Sequence, residues 1–192
     1  MRPETSPTPR GPVQGALDGG RAPRRRRPRR GQSLVEFALV LTPFLLVLLG
    51  IVQFGFIFNS YVTMTNAARE GARTGTIHLY DRARTKDQND LARNEAIRGS
   101  IRQSMNLLGT TAPHFATTGT WTKSGLVYTN GDLVVTYAIP SGITDTDARV
   151  GQTVTVRATY HQDLIVPIVA NLLPKDAGGR LRLIGEVTMV IN

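Results

Sequence analysis

An apolar run near the N-terminus constrains this chain more than any other feature of its sequence. Residues Phe37–Phe58 read FALVLTPFLLVLLGIVQFGFIF, in which only Thr42 and Gln53 are plainly polar. As an α-helix this run would be about 33 Å long. The hydrocarbon core of a bilayer is about 30 Å thick, so the segment can span it. A buried core helix of a soluble domain is the alternative, which the length and apolarity of the run disfavour.

The net charge of +9 is concentrated on the N-terminal side of this run. Residues 1–31 hold nine arginines and two acidic residues, which leaves the rest of the chain nearly neutral. This tail is rich in Pro, Gly and Arg and has almost no large apolar residues, so we predict a disordered leader. By the positive-inside rule, its arginines favour a cytoplasmic N-terminus and an extracytoplasmic C-terminal domain. A nucleic-acid contact and a twin-arginine export signal at Arg29-Arg30 are the competing interpretations.

A carboxylate, Glu36, stands at the edge of the apolar run. A charge at the centre of a membrane helix costs roughly 2.5–3.5 kcal/mol, and less near the interface. One explanation is that the Glu36 side chain reaches back to the interface. The other comes from its context, because basic residues precede Gly31 and Glu36 follows Gly31 by five positions.

This arrangement resembles the processing site of prepilins, and residues 31–73 resemble the TadE-like family more specifically. The matching features are Arg30-Gly31, Val35-Glu36-Phe37-Ala38, the apolar run interrupted by Pro43, and the segment NAAREGAR that ends at Arg73. The resemblance implies that a membrane aspartyl peptidase cuts between Gly31 and Gln32 on the cytoplasmic face. It further implies that Glu36 pairs with the new α-amine of a neighbouring subunit.

The family resemblance also implies a function and partners. The chain would be a minor pseudopilin-like component that assists assembly of a tight-adherence type IV pilus, anchored once in the cytoplasmic membrane. Its partners would be the major pilin, a second pseudopilin, the inner-membrane assembly platform and the prepilin peptidase. The alternative is an extracytoplasmic binding domain on an uncleaved single-pass anchor.

Two features of the long helix have more than one interpretation. Pro43 removes a backbone hydrogen bond and should kink or loosen the helix, or it is a tolerated membrane-helix proline. Small residues then recur at helical spacing after the apolar run, where they let two backbones approach closely. Either they contact another pseudopilin or they pack on the chain's own sheet. These residues are Ala67, Ala68, Gly71 and Gly75.

The chain divides into three predicted parts: the leader 1–31, a transmembrane helix with its extension over 32–80, and an extracytoplasmic α+β domain over 81–192. In the last part, the polar segment Asp81–Asn89 reads as a linker and Asp90–Leu108 as a second, amphipathic helix. This order of elements predicts a pilin-like α+β fold with an antiparallel sheet of about four strands.

The four strands are predicted from alternation and turn chemistry. Two form a hairpin over Leu126–Tyr137, with a type I′ turn at Asn130-Gly131. Alternating apolar residues predict a third strand over Val154–Tyr160, and Leu183–Ile191 reads as the last. The apolar segment Leu164–Leu173 between them could pack on the sheet or lie near the membrane.

The sequence shows no catalytic or metal-binding constellation, so we expect no enzyme, no cofactor and no metal. There is no cysteine, and His78, His114 and His161 lack metal-ligand spacing. Asp145 and Asp147 could touch a cation, but two carboxylates fall short of the roughly six to eight oxygens that calcium takes. Because the folded part is nearly neutral, we also expect no nucleic-acid partner.

Overall fold

The structure is a computed structural model that describes residue 11 and residues 30–105 and 119–192. The predicted leader 1–31 therefore lies almost entirely outside the described residues. The chain divides into two compact units, of which the first ends at Leu41 and the second comprises Thr42–Asn192.

The predicted long helix, α1, is present and spans Arg30–Thr76. Its most apolar stretch has a mean hydropathy of 2.5 and is not buried inside the protein. Large apolar side chains such as Phe44, Val47 and Ile51 are each more than half exposed. Length and composition therefore make α1 a candidate membrane anchor, since such a surface suits lipid or other apolar helices rather than water.

The second helix, α2, spans Lys86–Met105 and begins earlier than predicted. Thr85 and Gln88 form a capping box: the Gln88 backbone N–H donates to Thr85 Oγ1 at 3.3 Å, and the Thr85 N–H donates to Gln88 Oε1 at 2.9 Å. The predicted linker Asp81–Asn89 is thus wrong in its last four residues, because the capping box of Thr85 and Gln88 starts the helix earlier. The predicted end of the helix at Leu108 lies outside the described residues.

Five strands form one antiparallel sheet in chain order, which confirms the α+β class and adds one strand to the expected four. The strands are β1 Thr122–Ser124, β2 Val127–Asn130, β3 Leu133–Ala138, β4 Thr153–Gln162 and β5 Leu181–Val190. The unpredicted strand β1 has three exposed residues, so it has no apolar alternation that the sequence could show. The connection from β4 to β5 contains a short helix, α3, at Pro167–Ala170.

The turn of the β2–β3 hairpin differs from the prediction. Asn130 pairs with Leu133, so the two central residues are Gly131 and Asp132 rather than Asn130 and Gly131. Gly131 has φ 57°. Asp132 does not have a positive φ, because Arg149 is the one non-glycine residue in the described part of the chain that has one. A type I′ turn needs positive φ at both central positions, so that prediction is wrong; a glycine at the first position is typical of type II′.

The core lies where the C-terminal half of α1 and one face of α2 cover the sheet. Gly185 on β5 makes this approach possible, because a Cβ there would lie 2.8 Å from the carbonyl oxygen of Met64. Buried apolar side chains come from α1, from α2 and from the inner face of β2–β5. They include Met64, Ala67, Ala72, Ile97, Ile101, Met105, Tyr128, Leu133, Val135, Tyr137, Val154, Val156 and Ala158.

Candidate functional site

The predicted processing site lies in the first turn of α1. The helix begins at Arg30, and both Gly31 and Gln32 are exposed. Among the described residues, none outside its own helical turn would lie within 4 Å of a Cβ at Gly31. Packing within the described part of the chain therefore gives no reason for glycine at this position, unlike at Gly185.

The predicted subunit-pairing carboxylate, Glu36, is exposed one helical turn later. Its Oε1 accepts a hydrogen bond from Gln32 Nε2 at 3.0 Å. Within the described part of the chain Glu36 forms no ion pair, so its charge is not compensated there by a cation. Gln32 and Glu36 therefore lie on adjacent turns of one helix, with their side chains in contact.

Pro43 lies inside α1, which continues through it as helix. Proline has no backbone N–H, so the carbonyl oxygen of Leu39 loses its usual helical partner. The kink at Pro43 stays a prediction.

The stripe of small residues on α1 packs on the chain's own α2 and sheet. Ala67 and Ala68 are fully buried. A Cβ at Gly71 would lie 2.5 Å from Ile101 Cγ1, and one at Gly75 would lie 2.8 Å from Ile97 Cδ1. These contacts favour the intramolecular interpretation of the stripe, because its surface is already occupied.

Two of the three histidines, His78 and His161, lie in the described part of the chain, and they have different neighbours there. His114 lies outside the described residues, and burial is the main cause that lowers the pKa of His78, followed by the charges of Arg93 and Arg84. His161 lies between two carboxylates, with Nδ1 against Asp176 and Nε2 3.2 Å from Asp132 Oδ1. No group of acidic, His or Cys side chains in the described residues could hold a metal ion. His161 instead ties β4 to the β2–β3 turn and to the β4–β5 connection.

Asp145, which the sequence offered as a possible cation contact, accepts hydrogen bonds from side chains of the same protein. Lys86 Nζ donates to Asp145 Oδ1 at 2.5 Å and Gln152 Nε2 donates to it at 2.9 Å. The hydrogen bond from Lys86 is the main cause that lowers the pKa of Asp145.

A buried charge network that the sequence did not reveal joins α2 to the sheet. Asp90 accepts two hydrogen bonds from Arg149, both at 2.7 Å, and one from the Tyr128 hydroxyl at 2.9 Å. Arg93 lies in the same cluster, 3.6 Å from Asp90 Oδ1, and the Arg149 guanidinium stacks 4.4 Å from the Tyr137 ring. No sequence spacing predicts this network, because Arg149 and Tyr128 are far from Asp90 in the chain.

Residues 31–73 match the TadE-like protein family. This TadE-like segment begins at the predicted cleavage glycine and ends three residues before the end of α1. It covers the exposed N-terminal turn, the candidate membrane anchor and the small-residue stripe except Gly75, and it supports a role associated with the Tad pilus. No curated protein and no solved structure matches the chain.

Proposed function

We propose that this TadE-like chain is a minor pseudopilin-like component that assists assembly of a tight-adherence type IV pilus and is made as a prepilin-like precursor. The observation that carries the proposal is the N-terminal turn of α1. There an exposed Gly31, for which packing among the described residues gives no reason, stands five residues before Glu36 and is followed by an exposed apolar helix.

The first turn of α1 is suited to proteolysis. Gly31 and Gln32 are both exposed, and a Cβ at Gly31 would meet no described residue within 4 Å. A peptidase must bring the backbone close to its own catalytic groups, and a glycine offers no Cβ to obstruct that approach. The bond between Gly31 and Gln32 is therefore accessible without disturbing the packed part of the chain.

Cleavage would create the charge that Glu36 is placed to receive. The new α-amine of Gln32 would have a pKa of about 7.7–8.0 and be largely protonated at neutral pH. Among packed helices, that cation requires a carboxylate partner. Glu36 of a neighbouring subunit would supply it and set the axial register of the two helices, while removal of the arginine-rich leader would remove its repulsion.

The exposed apolar surface of α1 defines the remaining partners. Before assembly it would lie in the cytoplasmic membrane, with the N-terminus cytoplasmic and the α+β domain extracytoplasmic. During assembly it would pack against the major pilin and a second pseudopilin, supplied through the inner-membrane platform. The proposal assigns the chain no catalytic, cofactor-binding or nucleic-acid-binding role.

Processing and incorporation can be tested separately. With the cognate peptidase present, the intact mass of the membrane-extracted chain should correspond to loss of residues 1–31. Gly31→Leu should leave the full precursor, whereas Gly55→Leu, at another exposed glycine of α1, should be processed normally. Glu36→Gln keeps the size of the side chain but removes its charge, so it should be processed yet fail to enter the pilus.

The size of the Glu36 effect follows from the buried pair. Removing one partner of a buried ion pair costs about 3–5 kcal/mol, which is enough to abolish incorporation. A wild-type chain that stays unprocessed beside an active peptidase would refute the precursor mechanism and support an extracytoplasmic binding domain on an uncleaved anchor.

A further inference from the structure

Gln53, one of two plainly polar residues in the apolar run, is committed to a contact within the chain. Its side chain is 1% exposed. Its Oε1 accepts hydrogen bonds from the backbone N–H groups of Ile165, at 2.8 Å, and Val166, at 3.1 Å. Both residues precede α3 in the β4–β5 connection, and no side chain caps that helix at Val166. Gln53 thus satisfies two N–H groups at the start of a short irregular segment.

This contact fixes the level of α3 along the membrane helix. Gln53 is five residues before Phe58, where the apolar run ends. At 1.5 Å per residue, the segment bonded to it lies about 7.5 Å inside the end of the run. If the run is in the bilayer, the start of α3 is at the depth of the outer part of the apolar layer.

The side chains around α3 divide into two faces. Val166 and Val169 are buried against the protein, whereas Ile165, Ile168 and Leu172 are 67%, 55% and 82% exposed. We call these three exposed residues the apolar ledge. Their exposed face adjoins the apolar surface of α1 at Gln53, and the charged residues Asp163 and Lys175 lie outside the ledge on either side in sequence.

We propose that the apolar ledge inserts into the lipid of the extracytoplasmic leaflet, so that the α+β domain rests on the membrane beside its own anchor. The proposal rests on the membrane-spanning role of α1 given above. Interfacial segments bury their apolar face about 5–10 Å into the headgroup and acyl boundary, which matches the level set by Gln53.

The role of Gln53 also follows from this placement. The acyl chains of lipids offer no hydrogen-bond acceptor, so irregular backbone within the hydrocarbon layer needs partners from the protein. Gln53 supplies such an acceptor to Ile165 and Val166 while the neighbouring side chains face outward. This explains a buried glutamine in an apolar run whose other large side chains are mostly exposed.

The natural absence of cysteine permits a direct test with the full-length chain. Ile168→Cys and Leu172→Cys would each be labelled with a polarity-sensitive fluorophore in vesicles of phosphatidylethanolamine and phosphatidylglycerol. Leu48→Cys in α1 is the positive control, and Ser124→Cys on exposed β1 is the negative control. All four positions are at least partly exposed, so the substitutions should not disturb the core.

The expected result is blue-shifted emission at Ile168 and Leu172, with quenching by brominated acyl chains as also occurs at Leu48. Quenching at the ledge should exceed that at Ser124 several-fold. The proposal would be overturned if the labels at Ile168 and Leu172 were quenched no more than the label at Ser124. It would also be overturned if their emission were blue-shifted without quenching by lipid, because a protein partner would then cover the ledge. Unquenched Leu48 would overturn the membrane anchor and the ledge together. Neither result depends on cleavage at Gly31, so failure of the pilus role is detected separately.

Discussion

Gly185 of β5 lies directly against the backbone of Met64 on α1. A Cβ at Gly185 would lie 2.8 Å from the Met64 carbonyl oxygen and 3.1 Å from its carbonyl carbon. A backbone group cannot rotate away as the end of a flexible side chain can. The separation of helix and sheet is therefore set at this point by the absence of a side chain.

Gly185→Ala should lower the free energy of unfolding by about 1–3 kcal/mol, because the added methyl group forces α1 away from the sheet. Gly99→Ala is the matched control on the exposed side of α2, where a Cβ meets nothing within 4 Å of the described residues. It should raise the free energy of unfolding by about 0.5–1 kcal/mol by reducing the freedom of the unfolded chain. Denaturant titration of the detergent-solubilised chain measures both, and equal stability of the two variants would contradict the prediction.

The contact between Gly71 and Ile101 should appear as coupling between two substitutions. Gly71→Ala would place a methyl group 2.5 Å from Ile101 Cγ1. Ile101→Ala alone should cost about 2–5 kcal/mol through the cavity that it leaves. Together they should cost less than the sum, by about 0.5–3 kcal/mol, because the new methyl group occupies part of that cavity. Strict additivity in a double-mutant cycle would mean that α1 and α2 do not approach this closely.

Asp90→Asn should be among the most destabilising single changes in the domain. Asp90 is fully buried and receives two of the three hydrogen bonds that the Arg149 guanidinium donates. Without the charge of Asp90, Arg93 loses its ion pair with that residue and Arg149 keeps only the longer pair with Asp145, at 4.0 Å. Leaving buried charge uncompensated in this way costs about 3–5 kcal/mol.

The control for Asp90 is an exposed ion pair on the sheet. Arg157 Nε lies 3.5 Å from Glu186 Oε2, and both side chains are about half exposed. Glu186→Gln should therefore change the free energy of unfolding by about 0–1 kcal/mol. Thermal unfolding of both variants measures the difference, and a comparable loss in the two would show that the buried network does not carry the stability assigned to it.

The pH dependence of stability should reveal the buried tyrosines. Burial raises the pKa of Tyr128 and Tyr137 above the ordinary phenol value, and the hydrogen bond to Asp90 adds to the effect at Tyr128. The unfolded chain releases these protons near pH 10, whereas the folded chain keeps them. The stabilisation is therefore complete below about pH 10 and is lost progressively as the pH rises further.

Unfolding midpoints measured from about pH 8 to pH 11 test this dependence. Tyr137→Phe removes the hydrogen bond to Asn94, so its stability should start lower but fall less steeply above pH 10. A variant curve parallel to that of the wild type would exclude Tyr137 as a source of the alkaline loss.

The sequence by itself determined the elements whose signals are local. Phe37–Phe58 predicts a long apolar helix because apolarity over that length leaves few alternatives, and α1 is present. The alternation around Val154–Tyr160 likewise predicted β4. The start of α2 is also encoded locally, because Thr85 and Gln88 have the spacing of a capping box.

The tertiary structure decided everything that depends on which surfaces meet. The same small residues, Gly71 and Gly75, could serve a partner helix or the chain's own α2, and only the positions of Ile97 and Ile101 show that the space is taken. Strand β1 has no apolar face, so its pairing with β2 exists through backbone hydrogen bonds that any sequence can make. In the sequence, Gln53 is a polar residue that interrupts an apolar helix. In the fold it accepts a hydrogen bond from Ile165, which is more than a hundred residues away in the chain. No local sequence pattern encodes a contact at that separation.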